Sequence, residues 1–357
     1  MHTHLNLKKE MVGNHVMESC DLLARNIELH RNQLIDLLLK YESFETAEDE
    51  VERSLDCLKN ISEEAEWLQQ GVVGSICVFF PINLPLYSLI LYAVVPSFMA
   101  RELIARPPIL MRDLMKDICE LLDIVSILPH IKFVDVDRKL FCDAFASVAD
   151  VVVFTGKYEN ALLVKEECPD ALFIYSGYGV NPIIVTDSAN LNLAVEKTID
   201  ARIFNSGQDC HGSDIIFVHQ KIIIDFSSKL SKKLDTIKVG TDYIDREVKI
   251  GPLLKTDQVE KVKDFLTLHT EFITYGGKIE SGIVYPTIIE KDIQNITTFY
   301  HFEFFSPVFY LILYRTGADL KRYFSDTAYS NAGMYASVFG TCEYSSKIPN
   351  TVILQDK

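Results

Sequence analysis

No two of the eight cysteines stand in a C-x-x-C spacing, and no histidine pair lies beside them at zinc-ligand spacing, so no metal site is expected. A chain of 357 residues needs no disulfide scaffold, and reduced thiols in a cytoplasmic setting are the simplest reading. The opening run MHTHLNLKKEMVGNH has neither an apolar core nor a small-residue cleavage site, which excludes a secretory signal. Basic residues are scarce beside acidic ones, 35 against 50, and a net charge of −15 makes a nucleic-acid partner a poor expectation. Internal repeats, low-complexity tracts and long linkers are also missing, so composition marks no domain boundary. Charge is absent altogether from residues 72–100, which are long enough to span a bilayer. Pro81, Pro85 and Pro96 interrupt that run. It reads instead as a buried strand, VVGSICVFF, and a buried helix starting near Pro85, so no membrane partner is expected.

What the chain does have is periodicity. Residues 16–41 and 47–69 read as helices. The second carries Val51, Leu55, Leu58, Ile61, Ala65 and Leu68 at spacings of three and four, and Thr46 with Asp49 resembles a capping box. From residue 72 strands and helices alternate: VVGSICVFF, LYSLILYAVV, RELIARP, ILMRDLMKDICELLDIV, IKFVDV, KLFCDAFASV, VVVFTG, YENALLVKEE, ALFIYSG. That order argues for a parallel sheet covered by helices on both faces, the size of a nucleotide-binding half. A second α/β stretch follows, so two domains are expected, 1–178 and 179–357. The fold class is α/β, with parallel-rich sheets.

One polar run between apolar segments stands out: Phe204-Asn205-Ser206-Gly207-Gln208-Asp209-Cys210. Alone, Cys210 is one thiol among eight. The run resembles the NxGQxC active-site signature of the aldehyde dehydrogenase superfamily, and other landmarks follow in family order. GVVGSICVFFPINLP (71–85) is similar to the GxVGxIxPWNFP segment, VVVFTG (151–156) to the strand and turn leading to the cofactor phosphates, and NPIIVTDSANLNLAVE (181–196) to the KSPxIVxxDADLDxAV run. GPLL (251–254), YPTII (285–289), HFEFFSPV (301–308) and NAGMYASVFG (331–340) also fit. The resemblance implies a Rossmann-like cofactor domain, a catalytic domain of the aldehyde dehydrogenase type, and NAD or NADP as cofactor. It implies that Cys210 attacks an aldehyde carbonyl, that Asn83 and the Cys210 N–H hold the oxyanion, and that Glu303 holds the nicotinamide ribose while Phe305 contacts the nicotinamide. Pro81, Ile82, Gly156 and Lys157 fall on cofactor-side positions. Two alternatives stay open on the residues themselves: Asn83 capping the helix near Pro85, and Glu303 as a solvated edge residue. His211 invites a general-base reading that the family motif does not require.

The departures matter as much as the matches. Hydrolytic members carry a glutamate in an LELGG segment; here FIYSGYGVNP (173–182) puts Ser176 there, and a serine is no base near neutral pH. In ARELIARPPI (100–109), Arg106 replaces a lysine and Ile109 an acid that contacts the adenosine ribose, which leaves NAD against NADP open. Lys157 is a phosphate contact or a solvated lysine. The family's PFGG segment and oligomerisation strand are not found by Lys357, which leaves the substrate-tunnel wall and the usual dimer or tetramer open. Three readings follow: an NAD(P)-dependent aldehyde dehydrogenase, an acylating relative that passes an acyl thioester to a thiol, or a non-catalytic member binding a nucleotide or a partner.

Overall fold

The computed structural model describes the backbone of residues 2–68, 72–177 and 179–356, and the side chains among them from 15 to 61 and from 72 onward. Gly71 and the side chains of Ala65 and Leu68 lie outside the described residues. The chain divides into two compact units, 1–39 with 45–177, and 40–44 with 178–357. No helix among the described residues is long and apolar enough to cross a membrane.

The first unit begins with helices His2–Leu29, Arg31–Leu38 and Phe44–Leu68. The third starts three residues earlier than a Thr46 cap requires, so Thr46 lies buried inside its first turn and the expected capping box does not form. Val51, Leu58 and Ile61 are the buried face of its stripe.

The uncharged run folds as strand β1 (Val73–Phe79) and a helical segment from Pro85 to Ser97 that widens to π geometry over Ile90–Val94. The strands β2 (Ala100–Arg106), β3 (Ile131–Phe133), β4 (Val151–Phe154) and β5 (Leu172–Tyr175) complete a five-stranded sheet. Its order is β3-β2-β1-β4-β5 and every pairing is parallel. All four residues of β4 are buried, as a strand flanked by neighbours on both sides requires. Helices Arg138–Ala144 and Tyr158–Glu167 pack Phe141, Cys142, Ala161 and Val164 against Cys77, Phe79, Val152 and Phe154. The strand order reverses between β1 and β4. In such sheets ligands sit at the carboxyl ends of the strands beside that reversal.

The second unit holds a seven-stranded sheet made of β6 (Ile183–Val185), β7 (Ile216–His219), β8 (Ile273–Tyr275), β11 (Thr287–Asp292), β12 (Val308–Tyr314), β13 (Tyr335–Phe339) and β14 (Thr351–Leu354). A short hairpin, β9 (Ile279–Glu280) and β10 (Ile283–Val284), stands apart. The order is β14-β13-β6-β7-β12-β11-β8, parallel except where β8 meets β11. Alternate residues feed two cores. Ile183, Val185, Ile216, Val218, Phe309 and Leu311 face helices Leu191–Ile203 and Ile223–Leu234. Ile184, Phe217, Val308, Tyr310 and Ile312 face helices Thr256–Leu268 and Gly317–Phe324. A period of two over a sheet covered on both faces produces this division.

Candidate active site

In the second unit, the helix Leu191–Ile203 ends directly at the cysteine run. The backbone then enters the left-handed region three times in succession, at Asn205 (φ 49°), Ser206 (φ 57°) and Gly207 (φ 78°). Non-glycine residues rarely adopt that conformation, and here side-chain bonds hold them. The Ser206 hydroxyl accepts the Gly251 N–H at 2.9 Å and lies 2.7 Å from the Tyr243 hydroxyl. The Asn205 amide donates to the Gln208 carbonyl at 3.3 Å. Gln208 Oε1 accepts the Leu254 N–H at 2.8 Å, which ties the GPLL segment to the loop.

Two buried groups that sequence reasoning passed over anchor this turn. Arg202 is fully buried and donates to the carbonyls of Gly207 (2.7 Å) and Ser213 (2.8 Å) and to Asp214 Oδ1 (3.1 Å). The Asn181 amide donates to the Cys210 carbonyl at 2.7 Å. The loop is thus clamped on both sides of the cysteine, which itself remains partly exposed. Burial is the main cause that pushes the Cys210 thiol above its ordinary range, and the acids Asp209 and Glu303 push the same way. Asp209, Cys210 and His211 bring one donor atom each within 4.8 Å of one another. Groups of this kind are common without an ion, and we assign none there.

The HFEFFSPV element packs directly on this loop. A side chain at Gly207 would meet the Ser306 carbonyl carbon at 2.4 Å. Just before that contact Phe305 sits at φ 46°, a strained conformation for a bulky residue. Glu303 is no solvated edge residue: it is partly buried, and its Oε1 accepts the Gly179 N–H at 3.2 Å. Burial first, and Asp214 second, raise Glu303 from 4.5 to about 9, so it is a neutral acid at pH 7.

That value has a sign. The folded chain keeps a proton on Glu303 that the unfolded chain releases above about 4.5, so the stability this group contributes is full below that pH. It falls as pH rises toward about 9 and is level beyond. Glu303→Gln removes the titration. Its melting temperature is expected to decline less than wild type between pH 5 and 9, by the equivalent of a few kcal/mol at about 1.4 kcal/mol per pH unit. Parallel slopes in thermal melts at the two pH values would contradict this.

In the first unit, the other sequence-flagged residues gather along the carboxyl edge of the five-stranded sheet. Pro81, Ile82 and Asn83 follow β1, Gly156 and Lys157 follow β4, and Arg106 ends β2 in register with Phe79. Asn83 does not cap the helix. The cap position is Leu84, at φ 51°, with no side-chain capping bond, and Asn83 is buried before it. Gly156 has φ 130°, open only to glycine, and turns the chain into the ten-residue helix Tyr158–Glu167 with Lys157 at its cap. Arg106 Nε donates to the Val136 carbonyl at 2.9 Å. Ile109 is 70% exposed and offers no polar contact. Ser176 is exposed, and its hydroxyl lies 2.7 Å from that of Tyr92 in the π segment.

One unit carries a clamped cysteine and the other a parallel sheet with a strand-order reversal, and both are of the α/β class. The model described as "Aldehyde dehydrogenase family" matches residues 133–344, more than half of the chain, and the chain belongs to that family. It is 27% identical over 281 residues to a lactaldehyde dehydrogenase of Methanococcus aeolicus, covering 75% of this chain and 58% of that one. It is 33% identical over 196 residues to a mitochondrial succinate-semialdehyde dehydrogenase of Arabidopsis thaliana, covering 53% and 36%. The chain thus spans less than two thirds of the length of these curated relatives. Its fold is similar to that of a glyceraldehyde-3-phosphate dehydrogenase of Methanocaldococcus jannaschii solved with NADP, with a TM-score of 0.85 at 19% identity over 99% of this chain and 84% of that one.

Proposed function

We propose that the protein is an NAD(P)-dependent oxidoreductase that oxidises an aldehyde through a thiohemiacetal and a thioester on Cys210. The clamped Cys210 loop is the observation that carries this reading. The sulfur adds to the carbonyl carbon while the carbonyl electron pair moves to oxygen. The Cys210 N–H and the Asn83 amide are assigned to that oxyanion. A bound nicotinamide dinucleotide supplies the hydride acceptor. The residues along the sheet edge suit such a group: the Gly156 turn opens a helix N-terminus to phosphate with Lys157 at its cap, and Arg106 stands farther along the same edge at the end of β2. Pro81 and Ile82 border the same edge. Glu303 and Phe305 are assigned to the ribose and the nicotinamide ring, and the neutral Glu303 can both donate to and accept from a ribose hydroxyl. With Ile109 in place of an acid, either NAD or NADP is accommodated. A reducing, cytoplasmic setting belongs to the same proposal.

A second reading, transfer of the acyl group to a thiol such as a CoA-type acceptor, is favoured by Ser176. It presents a hydroxyl bonded to another hydroxyl, not a carboxylate able to activate water. Mass spectrometry after incubation with an aldehyde and NAD or NADP tests both. The expected result is an acyl adduct on Cys210 that outlasts hydrolysis and is released by added thiol. An adduct cleared by water within one turnover would sink the thiol-acceptor reading. No adduct and no cofactor binding by calorimetry would leave a nucleotide-free, non-catalytic role.

A further inference from the structure

Asp209, Cys210 and His211 are consecutive, and their side chains meet. Cys210 Sγ lies 3.4 Å from His211 Nδ1 and 3.8 Å from Asp209 Oδ1. The same Asp209 oxygen accepts the His211 N–H at 3.3 Å and stands 3.6 Å from Nδ1. From β13, the Tyr335 hydroxyl donates to the His211 carbonyl at 2.9 Å. Its ring lies 21° from the imidazole plane with centroids 6.1 Å apart. Backbone bond and ring contact together hold the imidazole with Nδ1 toward the sulfur. We propose that His211 is the general base of Cys210, taking the thiol proton as sulfur attacks and giving the sulfur a proton as the acyl group departs. This deepens the dehydrogenase reading and rests on it for the acyl steps.

The surroundings explain why this thiol needs such a partner. Titratable groups facing the sulfur and the imidazole include, among the described residues, Asp209, Glu303 and Tyr335. Two are acids: Asp209 opposes a bare thiolate, and Glu303 adds to that opposition once it ionises above about 9. Moving the proton to Nδ1 leaves a thiolate beside an imidazolium, and Asp209 then faces a cation as well as an anion. An imidazole is the side chain whose charge changes between pH 5 and 8, so it suits this exchange near neutrality. In the first half-reaction the S–C bond forms, the S–H proton goes to Nδ1, and hydride leaves carbon with its pair for the dinucleotide. Nδ1 then gives that proton to solvent, the one proton that oxidation by the dinucleotide releases overall. In the second half, a thiol or water gives its proton to the freed Nδ1, its heteroatom bonds to the acyl carbon, the C–S bond breaks, and the Cys210 sulfur takes that proton. Neither half requires a carboxylate at position 176.

The test reads the thiol itself. Cys210 alkylation by iodoacetamide is followed by peptide mapping from pH 5 to 10 in wild type, His211→Gln and His211→Asn. The His211 side chain is 53% exposed, so both variants are expected to fold, with melting curves as the check. Wild type should show an inflection near neutrality. Both variants should alkylate about 10²-fold more slowly at pH 7 and gain rate steadily up to pH 10 without that inflection. Rates within twofold of wild type at pH 7 in either folded variant would overturn the proposal. The burst of reduced dinucleotide with an aldehyde is measured in parallel. If wild type gives no burst while alkylation still depends on His211, the proton-acceptor role stands and the dehydrogenase reading fails.

Discussion

Gly207→Ala is expected to destabilise the second unit by about 3 kcal/mol or more and to disorganise the cysteine loop. Two costs add. At φ 78° an L side chain pays about 1 kcal/mol for the left-handed conformation. The added carbon would also stand 2.4 Å from the Ser306 carbonyl carbon, 2.6 Å from its oxygen and 2.7 Å from Pro307 N, all backbone atoms that no rotamer change can move aside. Gly282→Ala separates the two costs. Its φ is 80°, yet the nearest atom, on Pro252, is 3.8 Å away. That variant should lose only the conformational part. Urea denaturation of both variants is the measurement, and equal losses would mean that the close approach to Ser306 does not matter. Because Ser306 follows the strained Phe305, the glycine variant should also alter Cys210 alkylation, whereas Gly282→Ala should not.

The same loop shows what a sequence discloses. Cys210 was legible because its neighbours are chemically unusual as a set, and the strands were legible because buried parallel strands are written as runs such as Val151-Val152-Val153-Phe154. The left-handed Asn205 and Ser206 were not legible, since neither residue is glycine and the bonds that hold them come from Gly251 and from Tyr243. Tyr92 and Ser176 are 84 residues apart and meet only once β5 lies beside β4 and the π segment presents the phenol. The π turn itself has no local signature in ILYAV. Thr46 followed three residues on by Asp49 has the letters of a cap, yet helix Phe44–Leu68 overrides it, and Thr46 is buried as part of the first turn. The hairpin of β9 and β10 was too short to rise above the turn residues around it. Arg202 was the largest omission. A charged residue near the end of a helix reads as solvated, and its partner Asp214 lies beyond the cysteine run, twelve residues on.

Arg202→Leu should therefore expose what that omission concealed, costing about 3–5 kcal/mol, with a pH dependence that identifies the cause. Leucine fills part of the volume but leaves Asp214 buried, with the backbone N–H groups of Phe304 (2.9 Å) and Asn181 as donors and no cation. In wild type, burial outweighs the Arg202 attraction and raises Asp214 from 3.8 to about 6. A raised carboxylate contributes its full stability below 3.8, loses it as pH climbs to about 6, and is level beyond. Without the guanidinium the folded value rises further, so the variant should go on losing stability above pH 6 where wild type has levelled off. The deficit should be larger at pH 8 than at pH 5 in urea melts. Arg202→Leu combined with Asp214→Asn should recover part of the loss at pH 8 and little at pH 5, since only the charge is removed. A deficit independent of pH, unrelieved by the second change, would assign the loss to packing alone. Because Arg202 also donates to the Gly207 and Ser213 carbonyls, the double variant should keep a slack loop even where stability returns. Cys210 alkylation that stays altered in the double variant would then show that the buried pair holds the nucleophile in place as well as holding the fold.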